Sequence, residues 1–348
     1  MTKASATPLC LVDGSSYLYR AFHALPSLTS GDGAPTGAVF GVANMVRRLI
    51  EQQQPERLVV IFDAPGKTFR HEEYSEYKAN RPSMPAELRE QIEPLYELID
   101  ALGVKRVAVE GVEADDVIAT LVREAREKGS GVLISSGDKD LAQLVGGEIV
   151  LEDTMQDKRY DPEAVEDKFG VPPELVGDLL ALTGDTSDNI PGVEKVGPKT
   201  AAKWLKKYGS LEAVIENADD VGGKIGDNLK NALEQLPISR KLVTLKEDVD
   251  LGFSLEDLGY SGPDQDQLVE LLKRHGFSTW LRQIGDGGDP GNSDTADEVE
   301  LAVETVATKK ALSALVEKLE AAELVAFDTE TTSLESLDAD LVGFSFAV

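Results

Sequence analysis

Leu9-Cys10-Leu11-Val12-Asp13 is an apolar run that ends on an aspartate, and the pattern recurs along the first half of the chain. Leu58–Phe62 ends on Asp63. Val104–Val109 is followed after a short turn by Glu113, Asp115 and Asp116. Val132–Ile134 leads through Ser135-Ser136-Gly137 to Asp138 and Asp140. Short apolar runs bounded by turn residues read as strands. Between them lie segments of helical periodicity, Gly37–Ile50, Ala86–Leu102 and Asp115–Lys128. This alternation predicts an α/β fold, a mostly parallel sheet with helices on both faces. Ligands of such sheets bind outside the carboxyl ends of the strands. Each of those ends carries a carboxylate here, so the acids are expected to converge on one crevice.

From about Pro172 to Trp280 strand signals nearly vanish and helical patterns dominate. Asp185 and Asp188 stand at the start of that half, in Thr183-Gly184-Asp185-Thr186-Ser187-Asp188-Asn189, where they could close the crevice from above. Residues 285–300 contain six acids and no Lys or Arg, the composition of a flexible linker. A new α/β pattern follows, with Glu300–Val306 and Leu324–Phe327 strand-like and Lys309–Ala322 helical. The expected organisation is an α/β core over 1–175, a helical subdomain over 176–282, an acidic linker over 283–298, and over 299–348 the start of a further α/β unit that Val348 leaves incomplete.

The chain has 348 residues, 41% hydrophobic and 28% charged, enough for several cores in a soluble protein. No apolar run reaches the roughly 18 residues of a membrane span, and Leu9–Val12 is too short for a signal-peptide core. Cys10, the single cysteine, cannot form an internal disulfide and reads as a small buried hydrophobe in a reduced cytoplasm. A net charge of −28 argues, taken alone, against nucleic-acid binding. That argument fails if the acids gather around metal ions and the bases gather elsewhere.

Asp13, Asp63, Glu113, Asp115, Asp116, Asp138, Asp140, Asp185 and Asp188 would repel one another strongly in one cleft. Divalent cations remove the conflict. Oxygen ligands suit Mg²⁺ or Mn²⁺, and three scattered histidines with one cysteine argue against zinc. Two ions about 4 Å apart could activate water and stabilise a leaving oxygen in phosphodiester hydrolysis. A lone aspartate at such a place is as a rule a helix N-cap. Caps need one acid per helix, however, and here the acids come in pairs.

Two basic stretches accompany the acids. Lys67, Arg70, Tyr74, Tyr77, Lys78 and Arg81 follow Asp63, mixing cations for phosphate with rings for unpaired bases. If that segment is helical, Arg70, Tyr74 and Lys78 share a face. From Lys195 to Lys207 there are five lysines and no acid, and Lys199, Lys203 and Lys207 line one helical face. Before them Gly192 and Gly197 permit tight turns, and Pro198 suits a first helical position. Exposed N–H groups at that helix start, near Thr200, would meet a phosphate.

The segments Leu11-Val12-Asp13-Gly14-Ser15-Ser16, Val60-Ile61-Phe62-Asp63, Glu113-Ala114-Asp115-Asp116-Val117, Ser136-Gly137-Asp138-Lys139-Asp140 and Gly184-Asp185-Thr186-Ser187-Asp188-Asn189-Ile190-Pro191-Gly192 resemble the motifs of the 5′-nuclease family, over about residues 9–280. The resemblance implies a PIN-like nuclease core with a helix–two-turn–helix motif. It implies that Asp13, Asp63, Glu113, Asp115 and Asp116 hold a catalytic metal, and that Asp138, Asp140, Asp185 and Asp188 serve a second metal region. Lys78, Arg81 and Arg20 take an electrostatic role at the scissile phosphate, and Tyr77 that of a platform for a frayed base. Gly192, Lys195, Gly197, Lys199, Thr200 and Lys203 grip duplex backbone without reading sequence. Carbonyls near Gly192, Val193, Val196 and Lys199 bind a monovalent cation such as K⁺. The implied substrates are DNA with 5′ ends, flaps or nicks, and RNA primers on DNA; the implied setting is a monomer in the bacterial cytoplasm, associated with the nucleoid.

In Val325-Ala326-Phe327-Asp328-Thr329-Glu330, Asp328 and Glu330 share one strand face and resemble the first motif of proofreading 3′–5′ exonucleases of ribonuclease-H-like fold. The order 5′-nuclease, linker, proofreading start is that of bacterial DNA polymerases that carry both. Two other classes compete. A phosphatase of the haloacid-dehalogenase type also uses acids at strand ends, but wants Asp-x-Asp where Asp13 is followed by Gly14-Ser15. A non-catalytic DNA clamp would need the lysine helix alone and gain nothing from acids facing phosphate.

Overall fold

A computed structural model describes residues 7–154, 156–285, 306, 308–322, 325–332 and 341–347. The chain divides into two compact units, Met1–Gly288 and Asp289–Val348. The first begins with β1 (Leu9–Asp13), α1 (Gly14–Ala24), α2 (Gly37–Gln53), β2 (Leu58–Ile61), α3 (Phe69–Glu73), α4 (Ala86–Arg89), α5 (Ile92–Ala101), β3 (Lys105–Val107), α6 (Ala114–Glu127) and β4 (Val132–Ser135). It continues with β5 (Ile149–Asp153), β6 (Lys158–Tyr160) and α7 (Pro162–Phe169). Then come helices only: α8 (Val176–Thr183), α9 (Pro198–Tyr208), α10 (Leu211–Glu216), α11 (Gly223–Ala232), α12 (Leu236–Val243), α13 (Gln265–His275) and α14 (Ser278–Gly285).

The six strands lie in the order β3-β2-β1-β4-β5-β6. The first five are parallel, and β6 returns antiparallel to β5. The chain winds from β1 outward through β2 to β3, then crosses to the other side of β1 as β4. This reversal leaves a crevice at the carboxyl ends of β1 and β4. The α/β reading with a mostly parallel sheet and a helical part beyond it therefore describes the observed fold. Strands β5 and β6 carried no clear signal and were not expected.

Side-chain alternation divides the core between the two faces of the sheet. Leu9, Leu11, Val59, Ile61, Val132 and Ile134 pack with α6 and the helices α8 to α12. Cys10, Val12, Leu58, Val60 and Leu133 pack with α1, α2 and α5. Both faces are covered, so the strands are apolar throughout, as parallel strands usually are. Truncating a leucine in such a fully buried layer costs roughly 2–5 kcal/mol. Cys10 is part of it, and burial pushes its thiol up to about 12.

The helical half shares its core with the sheet. Leu268, Leu271 and Leu272 of α13, with Phe277 and Trp280, join the core of the α1–α2–α5 face. The helices of residues 176–282 thus flank the sheet on both sides, within one compact unit. The segment Ala86–Leu102 is two helices rather than one. Gln91, at the break, turns its buried amide oxygen to the N–H groups of Ala38 and Val39 at 2.7 and 3.3 Å. Those are orphan donors at the start of α2, which has no side-chain cap of its own.

The second unit contains α15 (Lys309–Ala321) and the antiparallel pair β7 (Ala326–Thr331) and β8 (Leu341–Ala347). Asp328 and Glu330 occupy alternate positions of β7, opposite Ser345 and Gly343. Phe327, Val342, Phe344 and Phe346 are exposed. The expected linker lies almost wholly outside the described residues. Among the described residues no helix is long and apolar enough to cross a membrane.

Candidate active site

The crevice at the carboxyl ends of the strands is a cleft of about 260 Å³. Asp13, Asp63, Glu113, Asp115, Asp138, Asp140 and Asp188 line it, together with Arg20, Tyr77, Lys78 and Arg81. Asp13, the last residue of β1, is buried and held on both oxygens. Its Oδ1 accepts from the Ser16 N–H at 2.9 Å, as the N-cap of α1, and its Oδ2 from the Ser136 hydroxyl at 2.6 Å. Capping and a place in the cleft are therefore compatible. Asp63 Oδ1 accepts from the Ala114 N–H at 2.8 Å, which ties the end of β2 to the start of α6. Asp138 Oδ1 accepts from the Asp140 N–H at 2.8 Å.

These acids are crowded, from buried Asp13 to exposed Asp63. Burial and the neighbouring Asp138 and Asp63 lift the Asp13 carboxyl to about 7, although Ser136 and Ser16 donate to it. Burial and Asp138 lift Asp140 to about 8 against the pull of Lys139. Asp115 is driven well above the usual carboxylate range by burial, then by Asp138, Asp13, Asp63 and Asp140. Asp140 Oδ1 is buried without a hydrogen-bond partner among the described residues. Oxygen-only donors, raised carboxyls and an orphaned buried oxygen together fit a hard divalent cation. Among the described residues no three such side chains already enclose a point tightly enough to cage an ion. An ion there would keep part of its water shell, as Mg²⁺ characteristically does.

Cations close the other side. The Lys78 ammonium lies 2.6 Å from Glu113 Oε1 and 3.6 Å from Asp188 Oδ2, and Arg81 pairs with Asp188 Oδ1. Burial would strip the Lys78 proton, but Glu113 and Asp188 outweigh it and hold the ammonium charged. Arg20 on α1 reaches the cleft with its guanidinium fixed on Asp153, at 2.7 and 3.1 Å. Asp185 stands behind the cleft wall. Burial alone would lift its carboxyl, but a salt bridge from Lys139 and the N–H groups of Ser187 and Asp188 hold it low.

Several expectations are corrected. Asp116 and Asp185 do not line the cleft with the other seven acids. Arg70, expected on DNA, is 2% exposed and pairs with Asp116 inside the protein. Tyr77, expected as a stacking platform, is 3% exposed; its hydroxyl donates to Glu113 at 3.0 Å and Asp188 at 3.2 Å. Helix α3 ends at Glu73, so Arg70 and Lys78 share no helical face. Gly192 serves the tight turn expected of it. A Cβ there would lie 2.3 Å from the Gly184 nitrogen, so glycine permits the tight backbone packing that closes the Asp185–Asp188 loop.

The remaining expected DNA-contact residues lie at the surface, Lys195 paired there with Glu194 at 3.1 Å. Lys67, Lys195, Gly197, Lys199 and Lys203 are exposed, and Thr200 is half-buried. Lys199 and Lys203 project from α9, whose other face buries Ala201, Ala202, Trp204 and Leu205. In the second unit Asp328 is exposed and accepts from the Thr329 N–H at 2.8 Å; the Glu330 side chain lies outside the described residues. Asp153 was missed by sequence reasoning. It ends a run of the same kind, Ile149-Val150-Leu151-Glu152-Asp153, but one too short and mixed to stand out as a strand. His71 and His275 are structural: His71 Nδ1 accepts from the Thr68 N–H at 3.1 Å, and His275 is buried against Phe277.

An acid-lined cleft at the switch point of a parallel sheet, rimmed by lysine and arginine, defines a nuclease of the resolvase-like class. The chain belongs to the 5′-3′ exonuclease family: residues 8–170 match its N-terminal resolvase-like domain and residues 171–266 its C-terminal SAM fold. Residues 303–348 match a 3′-5′ exonuclease. DNA polymerase I of Pseudomonas aeruginosa is 48% identical over 99% of this chain, which spans 39% of that relative's length. The 5′-3′ exonuclease of Aquifex aeolicus is 42% identical over 79% of this chain and 94% of its own. Among solved structures, the bacteriophage T5 5′-exonuclease with bound zinc superposes with a TM-score of 0.59 at 21% identity, over 80% of this chain and 98% of that one. The catalytic core of Rad2 in complex with DNA gives 0.56 at 16% identity, over 81% and 91%. These two likenesses speak for the fold.

Proposed function

We propose that this chain hydrolyses phosphodiesters of DNA at 5′ ends, nicks and 5′ flaps. The observation that carries the reading is the meeting of seven carboxylates with Arg20, Lys78 and Arg81 in one cleft. Asp13, Asp63, Glu113, Asp115, Asp138, Asp140 and Asp188 would hold Mg²⁺ or Mn²⁺, with Asp185 behind them. When bound, such ions supply a water of lowered pKa and charge stabilisation for the leaving oxygen.

The chain's own residues do the rest. Lys78 and Arg81 now neutralise Glu113 and Asp188; with ions in place of that pairing, both cations become available to the scissile phosphate. A cation preplaced where negative charge develops lowers the barrier without reorganisation at the moment of reaction. Arg20, held by Asp153, faces the same phosphate from α1. The α9 face of Lys199 and Lys203, with Lys195, Gly197 and Thr200, would grip duplex phosphates and so carry no base specificity. Lys67, which is exposed, would meet DNA phosphate. A K⁺ ion at the loop before α9 would lie near Gly192, Val193, Val196 and Lys199, where the Gly192 carbonyl already accepts from Gln235 at 2.9 Å.

In a longer polypeptide like the polymerase I relatives, this activity would remove RNA primers and support nick translation in the bacterial cytoplasm, at the nucleoid. Asp328 and Glu330 would contribute to a separate proofreading site. The nuclease is proposed to act as a monomer. The test is incubation with a 5′-labelled flap DNA in Mg²⁺, in Mn²⁺ and in EDTA. Release of the flap in metal and none in EDTA is expected; cleavage that persists in EDTA would sink the metal reading.

A further inference from the structure

Asp116 neighbours Asp115 in the first turn of α6, yet its carboxylate is fully buried and saturated. Its Oδ2 accepts from Arg70 Nη1 at 2.6 Å and from the Glu113 N–H at 3.0 Å. Its Oδ1 accepts from Arg70 Nη2 at 2.7 Å and from the Lys246 N–H at 2.9 Å. An ionised carboxylate offers about four lone-pair positions, and all are taken. Arg70 is committed as completely. Its Nε donates to the Leu242 carbonyl at 2.8 Å, its Nη2 also to the Thr244 carbonyl at 3.1 Å, and its Nη1 stands 3.5 Å from Glu113 Oε2. Leu242 lies in the last turn of α12, where helix carbonyls lack partners and favour a cation. One ion pair thus joins α3, the start of α6 and the end of α12.

We propose that Asp116 binds no metal and forms with Arg70 a buried strut, in which Arg70 is a positioning residue that sets Glu113 and clamps the end of α12 against the acid-lined cleft. The inference rests on the reading of that cleft as a divalent-metal site. Removing one member of a buried pair leaves an uncompensated charge and is strongly destabilising, whereas neutralising both is tolerated far better. Loss of Asp116 alone would therefore imitate loss of a ligand, because a group that orients metal ligands also alters affinity and activity. Only a change in its partner separates the two roles.

The experiment uses the full chain and Mn²⁺ alone as probe, with binding followed by the electron paramagnetic resonance of free Mn²⁺ and stability by thermal melting in EDTA. Asp116→Asn is expected to lower the melting midpoint by on the order of 10 °C and to weaken Mn²⁺ binding by about 10-fold or more. Adding Arg70→Gln, an amide pair without net charge, should restore most of the midpoint. It should also recover Mn²⁺ affinity in part, by about threefold or more over Asp116→Asn, the remaining loss being that of the guanidinium beside Glu113, and raise single-turnover flap cleavage above Asp116→Asn. A restored midpoint with Mn²⁺ affinity still as low as in Asp116→Asn would make Asp116 a ligand and overturn the proposal. Asp115→Asn separates this from the broader reading. It should weaken Mn²⁺ without lowering stability, and if it leaves Mn²⁺ binding intact the cleft is no metal site, while the midpoints still decide whether the strut exists. Should the substituted chains fail to fold, anomalous diffraction from crystals of the unsubstituted chain grown with Mn²⁺ decides. An Asp116 oxygen within about 2.5 Å of an ion refutes the strut, and none at that distance supports it.

Discussion

The Lys78 ammonium reaches Oε1 of Glu113 at 2.6 Å, while the main-chain N–H of the same lysine donates to the Asp188 carbonyl at 2.9 Å. Lys78 also has a φ of 55°, a left-handed conformation that costs a non-glycine residue about 1 kcal/mol or more. Such strain persists only where the surroundings over-determine it, and here both ends of the residue are tied. Lys78→Ala is expected to reduce the single-turnover rate of flap cleavage by on the order of a hundredfold, the loss of a preorganised charge. Rapid quench at saturating enzyme measures this. A rate that holds while affinity falls would leave Lys78 with a binding role only.

Arg20 lies directly over Gly137, where a Cβ would come within 2.0 Å of the guanidinium carbon. Asp153 holds the guanidinium in that place through two hydrogen bonds. Gly137→Ala should displace it and slow single-turnover cleavage by about tenfold or more. In the background of Arg20→Ala the same change should add almost nothing, since coupled residues are not additive. Full additivity in that double-mutant cycle would show that Gly137 matters for some other reason.

Metal and pH are linked through the raised carboxyls. Asp13 moves from an ordinary 3.8 to about 7 and Asp140 from 3.8 to about 8. Between about pH 4 and 8 the folded, metal-free chain therefore keeps protons that the unfolded chain has released. Stability in EDTA should fall as pH rises through that window and level off above it. Divalent ions displace those protons, so stabilisation by Mg²⁺ should grow over the same range. Thermal melts from pH 5 to 8, with and without Mg²⁺, test both signs. A melting temperature that climbs with pH in EDTA contradicts the account.

Lys199 and Lys203 are exposed on one face of α9, whose opposite face is buried. Replacing both with alanine should weaken DNA binding equally across sequences. It should also flatten the salt dependence of log K by about two units, because each lysine that meets a phosphate releases about one counterion. Fluorescence anisotropy at several salt concentrations reads the slope. An unchanged slope would reduce the lysines to a solvated face.

Much of this was legible in the residues themselves. Apolar runs such as Leu9–Val12 and Leu58–Phe62 determine parallel strands buried on both faces, because only a two-sided core accommodates a run without polar alternation. The acids after those runs follow from the same logic, since strand ends of a doubly covered sheet face a crevice. Ile149–Asp153 obeyed the rule too, but alternates buried and half-buried residues near the sheet edge and gave a weaker signal.

Only the tertiary structure decided which members of each motif face the cleft. Asp115 and Asp116 are adjacent in sequence, and successive residues of a helix point roughly 100° apart. One therefore enters the cleft while the other turns into the protein, toward Arg70. Arg70 itself reads as one more base in a basic stretch. What buries it is the carbonyls of Leu242 and Thr244, some 170 residues away, which no local pattern announces. Local sequence carries propensity and periodicity; the partners of a buried charge come from distant segments, and the low dielectric around them makes that pairing decisive.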